Sequence, residues 1–135
     1  MSEADSDLQQ NTPYKRLGGD AGVRRLVDRF YDLMDEDPAV RPLREMHAKS
    51  LRGSREKLYK FLSGWLGGPD LYIQQYGHPR LRARHLPFSI GAEERDQWMR
   101  CMNRALQEQV DDVLLCEQLK GSFYQVADFM RNKED

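Results

Sequence analysis

With 135 residues the chain has the length of one ordinary domain, enough to bury a core and too short for two independent ones. Its 21 Lys and Arg against 22 Asp and Glu leave a net charge of -1, so no basic excess gathers phosphate and nucleic acid is not an expected partner. No apolar run approaches the roughly 18 residues of a membrane span, and Met1-Ser2-Glu3-Ala4-Asp5-Ser6-Asp7 lacks the basic and apolar regions of a signal peptide, so the expectation is a cytoplasmic chain with no membrane contact.

Residues 1–12 are polar and acidic with a single Leu8, too little apolar surface to offset the entropy of ordering, and are expected to form a mobile tail before a domain over 13–135. Pro13 to Leu17 fits one helical turn, and Gly18-Gly19 breaks the chain before Asp20, an expected N-cap. Val23, Leu26, Val27, Phe30, Tyr31, Leu33 and Met34 then recur at three- and four-residue spacings, which predicts an amphipathic helix. Asp37-Pro38 and Pro42 interrupt it, leaving a connection to about Leu51 that contains His47.

A second amphipathic helix carries Leu51, Leu58, Phe61, Leu62, Trp65 and Leu66, and Gly67-Gly68-Pro69 stops it. Leu71 to Gln75 adds a turn before Gly77-His78-Pro79, and Arg80 to His85 is a short basic turn closed by Pro87. Glu93 and Glu94 open a long helix to about Gln109, with Trp98, Cys101, Met102, Ala105 and Leu106 on its apolar stripe. The last helix holds Leu115, Leu119, Phe123, Val126, Ala127 and Met130. No alternating strand pattern occurs, so the chain reads as all-α, two pairs of long helices with an irregular stretch from about Gly67 to Gly91 between them. Cys101 and Cys116 lie in helical stretches without CxxC spacing and read as reduced thiols; CxxCH, the covalent haem attachment, is absent.

An irregular stretch of this length inside a small domain signals function. It holds Tyr72, Tyr76, His78, His85, Phe88 and Ile90 with Arg80, Arg82 and Arg84, a mixture suited to an object both apolar and anionic. A haem is such an object: its ring needs apolar walls, its propionates need cations or hydroxyls, and its iron needs a neutral imidazole.

The run Gly77-His78-Pro79-Arg80-Leu81-Arg82-Ala83-Arg84-His85-Leu86-Pro87-Phe88, with Phe30-Tyr31 and Phe61-Leu62 before it and Glu94-Arg95-Asp96-Gln97-Trp98 after it, resembles the group II truncated haemoglobins over about Tyr14 to Met130. The resemblance implies a truncated globin fold, a two-over-two helical sandwich around haem b, with His85 as proximal iron ligand. It implies a distal side of Tyr31, Trp98, Ser54, Leu58 and Phe61, with His47 at the corner after the first long helix and Met46 as the rival there. Tyr76, Arg84 and Phe88 are assigned to the propionates or the proximal side, and His78 to a structural loop role.

It further implies reversible binding of O2, with CO, NO or peroxide as other ligands, in redox, NO or peroxide chemistry or sensing rather than bulk oxygen transport. NO dioxygenation or a peroxidase-like activity would require a separate reductase, since the chain has no flavin or nicotinamide motif. Oligomeric state is expected to be monomer or weak homodimer. Two rivals stand beside this reading. In one, His47 binds the iron from the distal side and the protein is a six-coordinate redox or electron-transfer haem protein. In the other, the apolar stripes merely pack together, Tyr31 and Trp98 are ordinary core aromatics, and the chain is a cofactor-free helical interaction module.

Overall fold

The structure, a computed structural model, describes residues 11–134, and all regular elements within them are helical. They run in the order α1 (Pro13–Arg16), α2 (Gly19–Glu36), a 3-10 turn (Pro38–Val40), α3 (Arg41–Glu45), α4 (Arg52–Trp65), α5 (Leu71–Tyr76), α6 (Leu81–His85), α7 (Ala92–Gln109) and α8 (Val113–Phe129). The tail expected over residues 1–12 lies, as far as residue 10, outside the described residues. No helix of the described residues is long and apolar enough to cross a membrane. The chain divides into two compact units, one of residues up to Asp28 with Arg52–Pro79, the other of Arg29–Leu51 with residues from Arg80 onward.

In the first unit, the Thr12 hydroxyl accepts the Lys15 N–H at 3.2 Å and Pro13 takes the first helical position, where its missing N–H leaves no partner unsatisfied. The Tyr14 N–H donates to the Leu66 carbonyl at 2.9 Å, joining the start of α1 to the end of α4. Gly67, at φ +98°, ends α4, and Gly68 stands so close to Tyr14 that a Cβ there would lie 2.4 Å from the ring. Gly67-Gly68 therefore terminates the helix as its sequence predicts, and also makes room for an aromatic ring.

Asp20 departs from expectation. With Gly18 and Gly19 at φ +105° and +69°, the chain enters α2 one residue sooner, so Asp20 sits in the first turn and its carboxylate accepts from the Tyr59 hydroxyl instead of capping. Arg24 lies flat on the same Tyr59 ring, 3.6 Å from its centre, and donates to Glu56 at 2.6 Å.

In the second unit, the expected connection over 37–51 is partly helical. Asp37 accepts the Ala39 N–H at 3.0 Å, and Pro38 and Pro42 occupy first-turn positions of the 3-10 turn and of α3. A proline interrupts the helix before it but suits the opening of the next, where its fixed φ is already helical. The same applies to the basic turn near Arg80, which is a true helix from Leu81 because Arg80 adopts a left-handed φ of +44°. Helices α7 and α8, joined by a short connection, pack along each other with Cys101, Met102, Ala105, Leu106, Leu115, Leu119 and Phe123 buried. Both cysteines are free and buried.

Candidate functional site

His85 ends α6 in the second unit, half-buried. Its Nδ1–H donates to the Leu81 carbonyl at 2.6 Å. A carbonyl can only accept, so Nδ1 carries a proton and the ring is oriented with Nε2 outside this bond, the second-shell support typical of an iron-ligating imidazole. Among the described residues no group of three or more His, Cys, Asp or Glu side chains is placed to hold a metal ion.

The segment after His85 is tied down by Asn132. Its Nδ2 donates to the carbonyls of His85 (3.2 Å) and Phe88 (2.7 Å), and its Oδ1 accepts the Ile90 N–H at 2.9 Å. Arg82 turns to the end of α8, donating to the carbonyls of Phe129 (2.6 Å) and Arg131 (2.9 Å). Its guanidinium thus serves the C-terminal dipole of α8. Arg84 is exposed, and the apolar side chains of Leu86 and Phe88, one and three positions after His85, are 58% and 44% exposed.

Phe30, fully buried, organises the aromatic residues of this unit. Its ring meets Tyr31 edge-on at 4.9 Å and Trp98 at 4.8 Å, and Trp98 in turn lies 5.9 Å from Phe123. Tyr31 is buried and its ring stands edge-on to His47 at 6.2 Å. His47 donates from Nδ1 to the Leu43 carbonyl at 2.9 Å, the same arrangement as His85, leaving Nε2 unprotonated. Burial holds His47 below the usual imidazole range, opposed by the Leu43 hydrogen bond and reinforced by the positive charge of Arg44. Leu43 is itself held by Gln97, a buried amide accepting the Leu43 N–H at 3.0 Å.

The first unit carries the other expected residues. Ser54, Leu58 and Phe61 lie on α4 at spacings of four and three, hence along one side of the helix, and each is half-buried. Phe61 stacks on Trp65 and meets Tyr72 edge-on, both at 6.4 Å, while Tyr72 packs on Tyr76 at 4.8 Å. Phe61, Trp65 and Tyr72, with Gly64, Ile73 and Pro79, border a cavity of about 220 Å³ whose polar margin is Lys60 and Asp70. Tyr76 and His78 are exposed, Tyr76 with the Lys60 ammonium 5.7 Å from its ring.

The structure thus brings together Tyr31 and His47, joins Tyr31 to Trp98 through Phe30, and places Phe61 in an aromatic group with Tyr76. Three residues were missed by sequence reasoning. Phe30 was visible in a helical stripe and beside Tyr31 in the family motif but was given no role of its own, Gln97 was visible only as a spacer in Glu94-Arg95-Asp96-Gln97-Trp98, and Asn132 has no local signal in a polar stretch.

A family model described as bacterial-like globin matches residues 12–132. The chain is 41% identical over 96 residues to the group 2 truncated hemoglobin YjbI of Bacillus subtilis, covering 71% of this chain and 70% of that protein. Among solved structures, the cold-adapted truncated hemoglobin of Pseudoalteromonas haloplanktis is 51% identical, with a TM-score of 0.90 over 91% of this chain and 99% of that one. The group II 2-on-2 hemoglobin of Agrobacterium tumefaciens is 42% identical, with a TM-score of 0.88 over 92% and 95% of the two chains.

Proposed function

Because the chain belongs to the bacterial-like globins, as a group II truncated, two-on-two haemoglobin, we propose that it holds haem b through His85 and binds O2 reversibly, with Tyr31 and Trp98 as distal hydrogen-bond donors. Family membership brings haem and small gaseous ligands with it. The type of haem, the residues around it and the physiological task are the substance of the proposal.

The observation that carries it is the 2.6 Å bond from His85 Nδ1 to the Leu81 carbonyl, which orients the ring with Nε2 as its remaining ligating atom, followed in the chain by the exposed apolar Leu86 and Phe88. When bound there, haem supplies an iron able to take up a diatomic gas. The chain's own residues determine which gas is favoured. A tyrosine hydroxyl and an indole N–H in a dry aromatic setting stabilise polarised O2 far more than CO, which carries little charge. Phe30 holds both donor rings in place through the contacts of 4.9 and 4.8 Å. Ser54, Leu58, Phe61, Tyr76, Arg84 and Phe88 enter as further haem-contacting residues on the strength of the resemblance. Slow O2 release from such donors suits redox, NO or peroxide chemistry, or sensing, with electrons from a separate reductase.

Titration of the purified protein with haemin, followed by reduction and exposure to CO, tests the reading. The expected result is a sharp Soret band saturating at one haemin per chain and a histidine-type CO adduct that His85→Ala loses. A spectrum indistinguishable from free haemin would leave a cofactor-free helical module as the account.

A second reading rests on His47, whose Nδ1 bond to Leu43 also presents an unprotonated Nε2. It makes His47 a distal iron ligand in the absence of gas. A low-spin ferric spectrum converted to high-spin by His47→Ala supports it, and a spectrum that ignores the substitution removes it.

A further inference from the structure

Helix α3 has no N-terminal cap of its own. Val40 stands at its N-cap position without a side-chain acceptor, the Arg41 N–H bonds to the Pro38 carbonyl, and Pro42 has no N–H, which leaves Leu43 with a donor to place. Gln97 takes it. This residue lies 54 positions later, on α7, and is buried; its Oε1 accepts the Leu43 N–H at 3.0 Å. One turn earlier on α7 the Glu93 carboxylate accepts from Gln97 Nε2 at 3.3 Å, which fixes the way the amide faces. Helix α3 is thus capped from another helix.

Through Leu43 the cap reaches His47. The Leu43 carbonyl accepts His47 Nδ1–H at 2.9 Å, so a displacement of Leu43 displaces the imidazole. The chain beyond His47 is fastened to the same helix, since Arg44 donates to the carbonyls of Ala48 (2.9 Å) and Lys49 (2.7 Å). The corner therefore moves with α3. Its polar ties to the long helices are unequal. Arg44 pairs with Asp35 on α2, and Asp37, just before the 3-10 turn, pairs with Arg100 on α7, each at 2.6 Å and each with one partner exposed, where ion pairs are weak. The Gln97 bond is buried, and water does not replace a buried acceptor that is lost.

We propose that Gln97 is a positioning residue, which by capping α3 from α7 holds the His47 imidazole edge-on to Tyr31, 6.2 Å between ring centres. On the haem reading above, on which this role rests, that corner lies on the distal side. Neighbouring residues of α7 then have related tasks. Trp98 reaches Tyr31 through Phe30, and Gln97 sets the corner against the same tyrosine.

Variants of the full-length protein test this. Gln97→Leu keeps the bulk and removes the acceptor, and Gln97→Asn withdraws the amide by one methylene in a milder form of the same change. Glu93→Gln combined with Gln97→Glu exchanges donor and acceptor and keeps both bonds. The first readout needs no haem: hydrogen exchange of the Leu43 amide and the NMR signal of His47 Nδ1–H, in the protein as purified. Gln97→Leu and Gln97→Asn are expected to quicken Leu43 exchange by about tenfold or more and to lose the imidazole signal to solvent exchange, with helical circular dichroism unchanged. The exchanged pair is expected to match the wild type.

The second readout is the C–O stretch of the CO adduct of the haem-loaded protein, which senses dipoles beside the ligand. Gln97→Leu is expected to shift or broaden the band, the exchanged pair to restore it, and Gln97→Leu to change nothing further once His47→Ala is present. Leu43 exchange that quickens while the His47 signal and the C–O band stay as in the wild type would make Gln97 a structural cap and overturn the proposal. A band that responds to Gln97→Leu equally without His47 would overturn it as well. A protein that takes up no haemin but shows the first readout as expected would sink the haem reading and leave the hold of Gln97 on His47 standing.

Discussion

Asn132 and Ile90 bond to each other reciprocally. The Ile90 N–H donates to the Asn132 side chain at 2.9 Å and the Asn132 N–H donates to the Ile90 carbonyl at 2.8 Å. With its Nδ2 bonds to the carbonyls of His85 and Phe88, this one side chain satisfies backbone groups along the whole exit from α6.

Asn132→Ala is accordingly expected to cost about 1 to 3 kcal/mol, since it strands partly buried backbone groups. Its effect should concentrate on His85. Urea unfolding measures the stability, and the rate of haemin transfer to a scavenger globin measures the loosening of the ligand segment. Unchanged haemin loss together with lowered stability would mean that Asn132 supports the fold without positioning His85.

Tyr31→Phe removes a hydroxyl while keeping the ring that Phe30 packs against. If the lost bond to O2 is worth about 1.5 to 3 kcal/mol, O2 release accelerates roughly tenfold to a hundredfold, with CO release little altered. Stopped-flow displacement of O2 by CO reads this directly. Phe30→Ala differs in kind: it opens a cavity in the core, is expected to cost about 3 to 5 kcal/mol, and disturbs Tyr31 and Trp98 together.

Two glycines separate steric need from helix propensity. A Cβ at Gly22 would come 1.9 Å from the Leu17 carbonyl oxygen, whereas one at Gly53 would meet nothing within 4 Å. Gly22→Ala should therefore lower the melting temperature sharply, by forcing apart the turn before α2. Gly53→Ala should leave it unchanged or raise it, as alanine is the better helix former by about 1 kcal/mol. Thermal melts of the two variants side by side check both directions.

Burial pushes the Cys101 thiol up to about 11, with the Asp37 carboxylate adding to the rise. The folded protein thus holds the proton more tightly than the unfolded chain. As pH climbs past the ordinary thiol value of 9.0, the unfolded state ionises first and stability falls, until the folded thiol also titrates. At neutral pH Cys101 should react with a disulfide reagent only after unfolding. Rapid labelling of the native protein at neutral pH would contradict the burial.

The four long helices were readable because their apolar residues repeat with the helical period, as in Val23, Leu26, Val27, Phe30 and Met34 of α2. The short ones were harder. Pro42 signals an end and a beginning with equal force, and only the chain around it decides between them. The placement of Asp20 depended on glycine φ values that no side-chain pattern encodes. Among the candidate site residues, His85 stood out through its surroundings, Arg-Ala-Arg-His-Leu-Pro-Phe. Its orientation could not be foreseen, because it depends on the Leu81 carbonyl one helical turn earlier and on Asn132, 47 positions later.

That separation governs the order in which the protein can be finished. During synthesis α6 emerges with His85 in place, its carbonyl taken locally by the Phe88 N–H, but the hold of Asn132 on the His85 and Phe88 carbonyls comes only once Asn132 has been made. Arg82 likewise waits for Phe129 and Arg131. The α6 segment is therefore among the last parts to rigidify, and the nascent chain passes through an interval in which this imidazole is present but not yet held.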